Sequence, residues 1–175
     1  MGTYVYEIND DQGQLHQGFE DVANMMHSYY QHLLGLCSTA RSPISHQVIA
    51  LGNTLAVEQL LNLCAPFFDK DVEATMFSIP TFKSPGPDGF NSGFYKATWH
   101  ITGKLVHDAL QQFFKSGHMP SSLGQTKMVL PPKIPNPTHE KDFRPISCCS
   151  VLYKCITKLL CNRLKEVFPH LIHQQ

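Results

Sequence analysis

Apolar residues recur at three- and four-residue intervals in several stretches, and each stretch predicts an amphipathic helix. The first stretch ends at Gly35, a typical helix stop, and consists of Phe19, Val22, Met25, Met26, Tyr29, Tyr30 and Leu33. A helix over 54–64 is expected to end before Pro66. Another follows over 70–78, with Asp69 as the residue expected to accept its first-turn amides.

Two longer helices are predicted in the second half of the chain. Tyr95–Ser116 carries a wide apolar face and is followed by Gly117, which is typical of a helix C-cap. After Ser147 the pattern is helical again, and its apolar positions are Val151, Leu152, Cys155, Ile156, Leu159, Leu160, Leu164 and Val167.

Strands are short and few. Tyr4–Ile8 is β-prone and is followed by a polar turn and a second short strand at residues 14–16. Asp10 and Asp11 in that turn resemble a two-metal carboxylate pair, but the nearby Gly13 and the lack of resumed alternation favour a simple turn. Thr126–Leu130 is another strand, cut by two prolines. The expected fold class is α+β and predominantly helical.

A loop rich in proline and glycine lies between the helical regions. Its centre is Pro85, Gly86, Pro87, Asp88 and Gly89. Proline fixes backbone angles, whereas glycine permits left-handed or close-approach geometry, so we expect a shaped loop. The glycine spacing of a P-loop is absent.

The charge of the chain is zero overall but divided between its halves. Residues 1–82 contain two basic and nine acidic residues, whereas residues 83–175 contain twelve basic and five acidic ones. Such a division is typical of a basic part that binds nucleic acid or phosphate. It is equally compatible with two oppositely charged halves that pack on each other.

Several classes of protein are disfavoured by composition. No apolar run reaches the length of a membrane helix, and the first residues do not resemble a signal peptide, so we expect an intracellular protein without membrane contact. The six cysteines form no C-x-x-C pair, so we expect no metal site despite ten histidines. Buried free thiols are the favoured interpretation.

Four blocks in the second half resemble the opening of the reverse transcriptase domain of LINE-type non-LTR retrotransposons, particularly plant ones. Their order and spacing agree along roughly 95 residues. The blocks are Lys83–Phe90 with the following Trp-bearing helix, Met128–Lys133, Asp142–Ser147, and Val151–Lys154 with Lys158–Leu164.

The resemblance implies an acidic helical connector over residues 1–78 and a partial reverse transcriptase domain over residues 79–175. The latter corresponds to part of the fingers subdomain of a right-hand polymerase, with the palm absent. No catalytic residue is therefore assigned, and no cofactor is expected here, although the complete family enzyme uses Mg²⁺. Its partners are an RNA template, a DNA primer and deoxynucleotides, and the missing palm and thumb would pack on the basic half. Localisation by analogy is nuclear or cytoplasmic.

The resemblance also implies binding residues. Lys133 and Arg144 align with the residues that hold the incoming triphosphate, a chemistry that suits an ammonium and a guanidinium. The alternative from the sequence alone is an ion pair of Arg144 with Asp142 or Glu140. The residues expected along the nucleic-acid backbone are Lys83, Lys154, Lys158 and Arg163.

One departure from the family pattern concerns the strand before Lys133. Pro132 stands where the family usually has an isoleucine, and its missing amide donor is expected to fray the strand end.

Two other functions remain open at this point. The chain could be a residual nucleic-acid-binding module without catalysis, or an inert pseudogene product that folds poorly because its apolar faces lack partners.

Overall fold

A computed structural model describes residues 5–36 and 43–172 of the 175-residue chain. The fold is α+β and predominantly helical, as the sequence predicts. The chain divides into two compact units, here called unit 1 (residues 1–42 and 128–147) and unit 2 (residues 43–127 and 148–175). Both units draw on chain from either side of residue 78. The boundary expected at residue 78 therefore stays a prediction. Tyr4 and Cys37 lie outside the described residues.

Unit 1 begins with a small antiparallel hairpin. Strands β1 (Glu7–Asn9) and β2 (Leu15–Gln17) pair with Ile8 opposite His16. In the connecting turn, the Asp10 Oδ1 atom accepts hydrogen bonds from the amides of Gln12 and Gln14, at 2.9 and 2.8 Å. The turn interpretation of Asp10 and Asp11 is therefore confirmed.

Helix α1 (Phe19–Gly35) packs its apolar face in the core of unit 1. Val22, Met26 and Tyr30 are buried there together with Ile8 and Phe143. The helical periodicity and the stop at Gly35 are confirmed.

Unit 2 is built mainly from helices. They are α2 (His46–Ala50), α3 (Val57–Cys64), α4 (Asp69–Ser78), α5 (Ser92–Ala97), α6 (Trp99–Ser116), α7 (Ser121–Gly124) and α8 (Val151–Leu171). The sequence did not predict α2, because no apolar stripe marks it. The single helix expected from residue 95 is interrupted at Thr98, whose backbone leaves helical angles (φ −102°, ψ 15°). Gly117 ends α6 in the left-handed region (φ 67°), as predicted.

Strands β3 (Thr126–Val129) and β4 (Ile146–Cys149) form the other small sheet. Each strand includes the point where the chain passes from one unit to the other. The expectation for β3 is confirmed within one residue, whereas β4 was not predicted, since four residues are too few to show alternation.

The start of α4 differs from the expectation. Asp69 is the first helical residue, and the carboxylate that accepts the amide of Phe68 belongs to Asp71, at 2.9 Å. Asp69 instead lies 2.6 Å from the His107 Nε2 atom of α6. The capping prediction for Asp69 is wrong because the chain enters the helix one residue earlier.

The core of unit 2 is formed by residues of α4, α6 and α8 with Phe67. Cys155 is fully buried in it, and burial raises the pKa of its thiol to about 12. Cys148 is also buried, whereas Cys64 and Cys161 are exposed. The prediction of buried free thiols is therefore right for two of these residues and wrong for the exposed pair.

The loop around Pro85–Gly89 packs against the start of α8. A Cβ atom at Gly86 would lie 2.7 Å from the carbonyl carbon of Cys149 and closer still to the Ser150 amide nitrogen. Gly89 adopts a left-handed backbone (φ 76°) with open space around it, and the Asp88 carboxylate accepts the Phe90 amide at 3.3 Å. The loop thus uses one glycine for close approach and the other for backbone angle.

We expect Gly86→Ala to lower the free energy of unfolding by about 2 kcal/mol or more, because backbone atoms cannot rotate away from the added methyl group. Gly89→Ala is expected to cost about 1 kcal/mol, since only the left-handed angle opposes it. Gly124→Ala, which meets only the Met119 Cγ atom at 3.9 Å, is the control and should be nearly neutral. Urea unfolding of the three variants measures their free energies of unfolding. Equal losses of stability for Gly86→Ala and Gly124→Ala would contradict the close packing at Gly86.

Candidate functional site

Lys133 and Arg144 flank the Pro132–Phe143 bridge in unit 1, and both are exposed. Pro132 and Phe143 form an antiparallel bridge, flanked by hydrogen bonds from the Lys133 amide to the Asp142 oxygen (2.6 Å) and from the Arg144 amide to the Pro131 oxygen (2.9 Å). Side chains alternate between the faces of such a pair. Phe143 is buried, so Lys133 and Arg144 share the opposite face, where both are exposed. A diagonal pair of this kind is roughly 7 to 8 Å apart.

The second proline does not disturb this pairing. The two flanking hydrogen bonds make Pro132 and Phe143 a pair that exchanges no hydrogen bonds, so Pro132 needs no amide donor towards its partner. β3 does end at Val129, before both prolines. The Lys133 amide is nevertheless paired, because Pro132 stands at a register position that needs no amide donor.

Three contacts fix the loop between Lys133 and Arg144. The Tyr30 hydroxyl lies 3.2 and 3.3 Å from the backbone oxygens of Glu140 and Phe143. The Asn9 amide donates to the Thr138 oxygen at 2.8 Å. The Asp142 carboxylate accepts the amides of Thr138 and His139, both at 3.0 Å, and these bonds lower its pKa.

The charges of the loop leave Arg144 available. The Lys133 Nζ atom donates to the Lys141 backbone oxygen at 2.6 Å, and Asp142 is engaged with backbone amides. Within residues 5–36 and 43–172, no carboxylate forms an ion pair with Arg144. The alternative in which Arg144 pairs with Asp142 or Glu140 is thus not found in the described part of the chain.

Glu140 has an unusual environment that sequence reasoning missed. It is 1% exposed, and both carboxylate oxygens lack a hydrogen-bond partner among the described residues. Burial raises its pKa, and the neighbouring Asp11 raises it further. No sequence signal could have found this, because a glutamate in a polar, proline-rich loop is ordinarily solvated.

The basic residues of α8 contact carbonyl groups within unit 2. Lys154 donates to the Ser84 oxygen at 2.7 Å, and Lys158 donates to the Ser78 oxygen at 3.2 Å. Lys96, which the sequence did not single out, donates to the Ile79 oxygen at 2.5 Å. Carbonyls at helix C-termini lack intrahelical donors, and cations are favourable there. These lysines therefore hold the end of α4 and the loop that follows it.

Arg163 is the most engaged of the basic residues predicted to contact nucleic acid. Its guanidinium donates to the Leu63 oxygen at 3.0 Å and lies 3.4 Å from the centroid of the Phe67 ring. Burial lowers its pKa from the ordinary value. Lys83, in contrast, is exposed at the edge of the Pro85–Gly89 loop. Of the four residues predicted to contact nucleic acid, Lys154, Lys158 and Arg163 thus already donate to backbone carbonyls, whereas Lys83 is exposed.

The described side chains offer no fitting site for a Mg²⁺ ion. No three His, Cys, Asp or Glu residues among them converge on a point that could hold a metal ion. No chemical step is therefore assigned to a metal here.

None of the described helices has the length and apolar character needed to cross a membrane.

Comparison with known proteins finds similarity to proteins of transposable elements. No family model matches it. It is 36% identical over 95 residues to the Transposon TX1 uncharacterized 149 kDa protein of Xenopus laevis. The aligned region covers 54% of this chain and 7% of that protein. It is 29% identical over 98 residues to the Retrovirus-related Pol polyprotein from type-2 retrotransposable element R2DM of Drosophila melanogaster, covering 56% and 9%.

The chain spans less than a tenth of the length of these curated relatives. The similarity supports a retrotransposon-related protein, and the activities of the full-length relatives bear on this chain only as proposals.

The raised pKa of Glu140 predicts a pH-dependent stability. An acid that holds its proton more tightly in the folded chain destabilises the fold as the pH rises between the unfolded and folded pKa values. Glu140→Gln removes this penalty, so the variant should be more stable than the wild type at neutral pH. The difference in stability between the variant and the wild type should vanish as the pH falls to the ordinary pKa of glutamate. Thermal unfolding across pH measures it.

Asp142→Ala is the matched control of opposite sign. The pKa of Asp142 is lowered in the folded chain, so its carboxylate stabilises the fold at pH values above the ordinary aspartate pKa. This stabilisation is lost as the pH falls through the lowered pKa. The variant should therefore be less stable than the wild type at neutral pH and approach it in acid. If Glu140→Gln behaved like Asp142→Ala, the buried environment assigned to Glu140 would be wrong.

Proposed function

We propose that this chain is part of an RNA-directed DNA polymerase of a LINE-type non-LTR retrotransposon and corresponds to a connector and the fingers portion. In this proposal Lys133 and Arg144 bind the triphosphate of the incoming nucleotide. The carboxylates that hold the catalytic Mg²⁺ ions are then supplied by a palm in the parent protein. The similarity to two transposable-element proteins supports the origin.

The observation that carries the proposal is the shared face of Lys133 and Arg144. Two cations that are eleven residues apart in sequence become diagonal neighbours because the Pro132–Phe143 bridge sets their register. Since Phe143 must be buried, neither cation can turn inward without breaking the core of unit 1. The pair is therefore held in solvent by packing on the other face.

The chemistry of the pair suits a polyphosphate. A guanidinium donates paired hydrogen bonds to phosphate oxygens, while an ammonium acts as a point charge that neutralises the rest. The Lys133 ammonium retains two further donors beside its bond to the Lys141 oxygen. Anchoring of the loop by Tyr30 lowers the entropy that binding would otherwise cost.

Nucleic-acid contact by unit 2 is the second part of the proposal. Lys83 is exposed, and it is the candidate for a contact with the template or primer backbone. Lys154, Lys158 and Arg163 already donate to backbone carbonyls, so their contribution is expected to be smaller.

Exposed apolar side chains on α8 are the candidate surface for the palm or thumb. Leu160, Leu164 and Phe168 are 40%, 38% and 46% exposed. In the complete enzyme we expect adjoining subdomains to cover them.

Nucleotide binding tests the triphosphate site. Lys133→Ala combined with Arg144→Ala should weaken deoxynucleoside triphosphate binding by about a hundredfold, since each charged hydrogen-bonding group contributes about tenfold. Arg144→Lys should fall between this variant and the wild type, because it keeps the charge and loses the paired geometry. Fluorescence titration with a labelled nucleotide measures the affinities.

A double substitution of exposed lysines elsewhere, Lys104→Ala with Lys115→Ala, is the matched control and should leave the affinity unchanged. Thermal unfolding of each variant separates lost binding from lost structure. Equal weakening by both double variants would show that binding follows net charge and not this site.

Salt dependence tests the nucleic-acid contacts. Binding to a single-stranded oligonucleotide should weaken steeply with salt, and Lys83→Ala should reduce the logarithmic slope by about 0.7, the value for one phosphate contact. Arg163→Ala should mainly lower stability, because it removes the contacts with Leu63 and Phe67. An unchanged slope for Lys83→Ala would exclude that residue from the interface.

A further inference from the structure

A groove of about 520 Å³ lies in unit 1 beside the turn of the β1–β2 hairpin and helix α1. Carboxylates dominate its lining, which includes Asp10, Asp11, His16, Asp21, Tyr29 and Glu140. Every one of these residues belongs to unit 1.

Two of the four carboxylates are already satisfied within the hairpin. Asp10 accepts the amides of Gln12 and Gln14. Asp21 accepts the Gln17 amide at 3.3 Å and lies 3.1 Å from the His16 Nδ1 atom. The hydrogen bond to Asp21 is the main cause of the raised pKa of His16. These groups therefore form a structural cluster that does not call for a ligand.

Glu140 differs because it is buried in the groove wall without a donor. Its side chain is 1% exposed, and neither oxygen has a hydrogen-bond partner in the described part of the chain. A buried acceptor that is left unpaired costs about 1 to 3 kcal/mol, and more when it is charged. Such a group in a groove wall is a candidate for a donor from outside the described residues.

Asp11 completes the arrangement from the exposed side. The Asp11 carboxylate lies close enough to Glu140 to raise its pKa, both through the hydrogen bond that a protonated Glu140 can donate to it and through its charge. When Glu140 is ionised, no described residue donates to its carboxylate. The cation found at this edge is Lys141, whose Nζ atom lies 4.0 Å from the Asp11 Oδ1 atom and does not reach Glu140.

We propose that this groove binds a guanidinium group, held between the carboxylates of Asp11 and Glu140 and against the ring of Tyr29. A guanidinium offers several donors in one plane and so can serve two adjacent carboxylates at once. It also stacks on aromatic rings, which fits Tyr29 in the lining. A free guanidinium compound and an arginine side chain of a polypeptide would make the same contact, and the experiment below distinguishes these two sources.

A bare metal ion fits the groove less well. The described residues gather no group of three His, Cys, Asp or Glu ligands around one point. The lining also includes the apolar Met25 and the Tyr29 ring, which favour a planar organic cation over a hydrated ion. This inference does not depend on the proposed triphosphate site, because Lys133 and Arg144 are not part of the groove lining.

Nuclear magnetic resonance titration of the isotope-labelled full chain tests the proposal. Agmatine and N-acetyl-arginine amide are added separately at a pH of about 8, where Glu140 is the more ionised. Both should shift the amide signals of Ser28, Tyr29 and Glu140 in a saturable way. N-acetyl-lysine amide, which carries the same charge without the planar fork, should bind at least about fivefold more weakly.

The two arms distinguish the source of the group. Binding of agmatine equal to that of N-acetyl-arginine amide indicates a site for the guanidinium alone. Tighter binding of an arginine-containing tripeptide than of agmatine indicates a polypeptide partner. Either result supports the proposal.

Variants locate the contact. Glu140→Gln and Asp11→Asn should each weaken binding by about tenfold. Asp108→Asn, at an exposed carboxylate of α6, should leave it unchanged. Asp11 lies in an exposed turn, so its variant keeps the test valid if the Glu140 substitution alters the fold.

Three outcomes would overturn the inference. They are no saturable shift with either guanidinium compound, equal shifts with the lysine analogue, and stronger shifts with Mg²⁺ or Ca²⁺ alone. A groove that responds only to pH, through a proton shared by Asp11 and Glu140, would give the first of these outcomes.

Discussion

Backbone carbonyls left over at helix ends and in loops must find donors, and in unit 2 three of these donors come from one helix. Lys154, Lys158 and Arg163 of α8 reach the oxygens of Ser84, Ser78 and Leu63. The same helix buries Val151, Cys155, Ile156 and Leu159 in the core. Because α8 must both bury its apolar face and reach these carbonyls, its rotation and its position along α3 and α4 are fixed together. Gly86 can approach the start of α8 only while α8 keeps that position.

In unit 1 the corresponding constraint is the burial of Phe143. One large apolar side chain decides which face of the Pro132–Phe143 bridge is internal, and alternation then places Lys133 and Arg144 in solvent. The proposed site would thus depend on the packing of Phe143 more than on attraction between Lys133 and Arg144, since like charges repel. Tyr30 and Asp142 maintain the intervening loop against that repulsion.

The same short loop carries a buried acid beside an exposed basic pair. Among the described residues, Glu140 is buried without a donor, whereas Arg144, four residues later, is exposed without an acidic partner. A chain selected only for stability would have paired them or replaced the acid by an apolar residue. Departures from local consistency are expected at functional positions, where a ligand completes what the fold leaves open.

The sequence by itself determined the helices with long apolar stripes, the turn at Asp10, the stop at Gly117 and the resemblance to retrotransposon sequences, because periodicity, turn residues and block order are local properties. It did not reveal α2, β4, the break at Thr98 or the exposure of Cys64, which depend on neighbours distant along the chain. Resemblance pointed to Lys133 and Arg144, but only the tertiary structure decided that they share a face, because their register follows from the burial of Phe143. It likewise decided that Glu140 is buried and that the cations of α8 contact carbonyls, since burial and hydrogen-bond partners are set by packing between segments up to about a hundred residues apart.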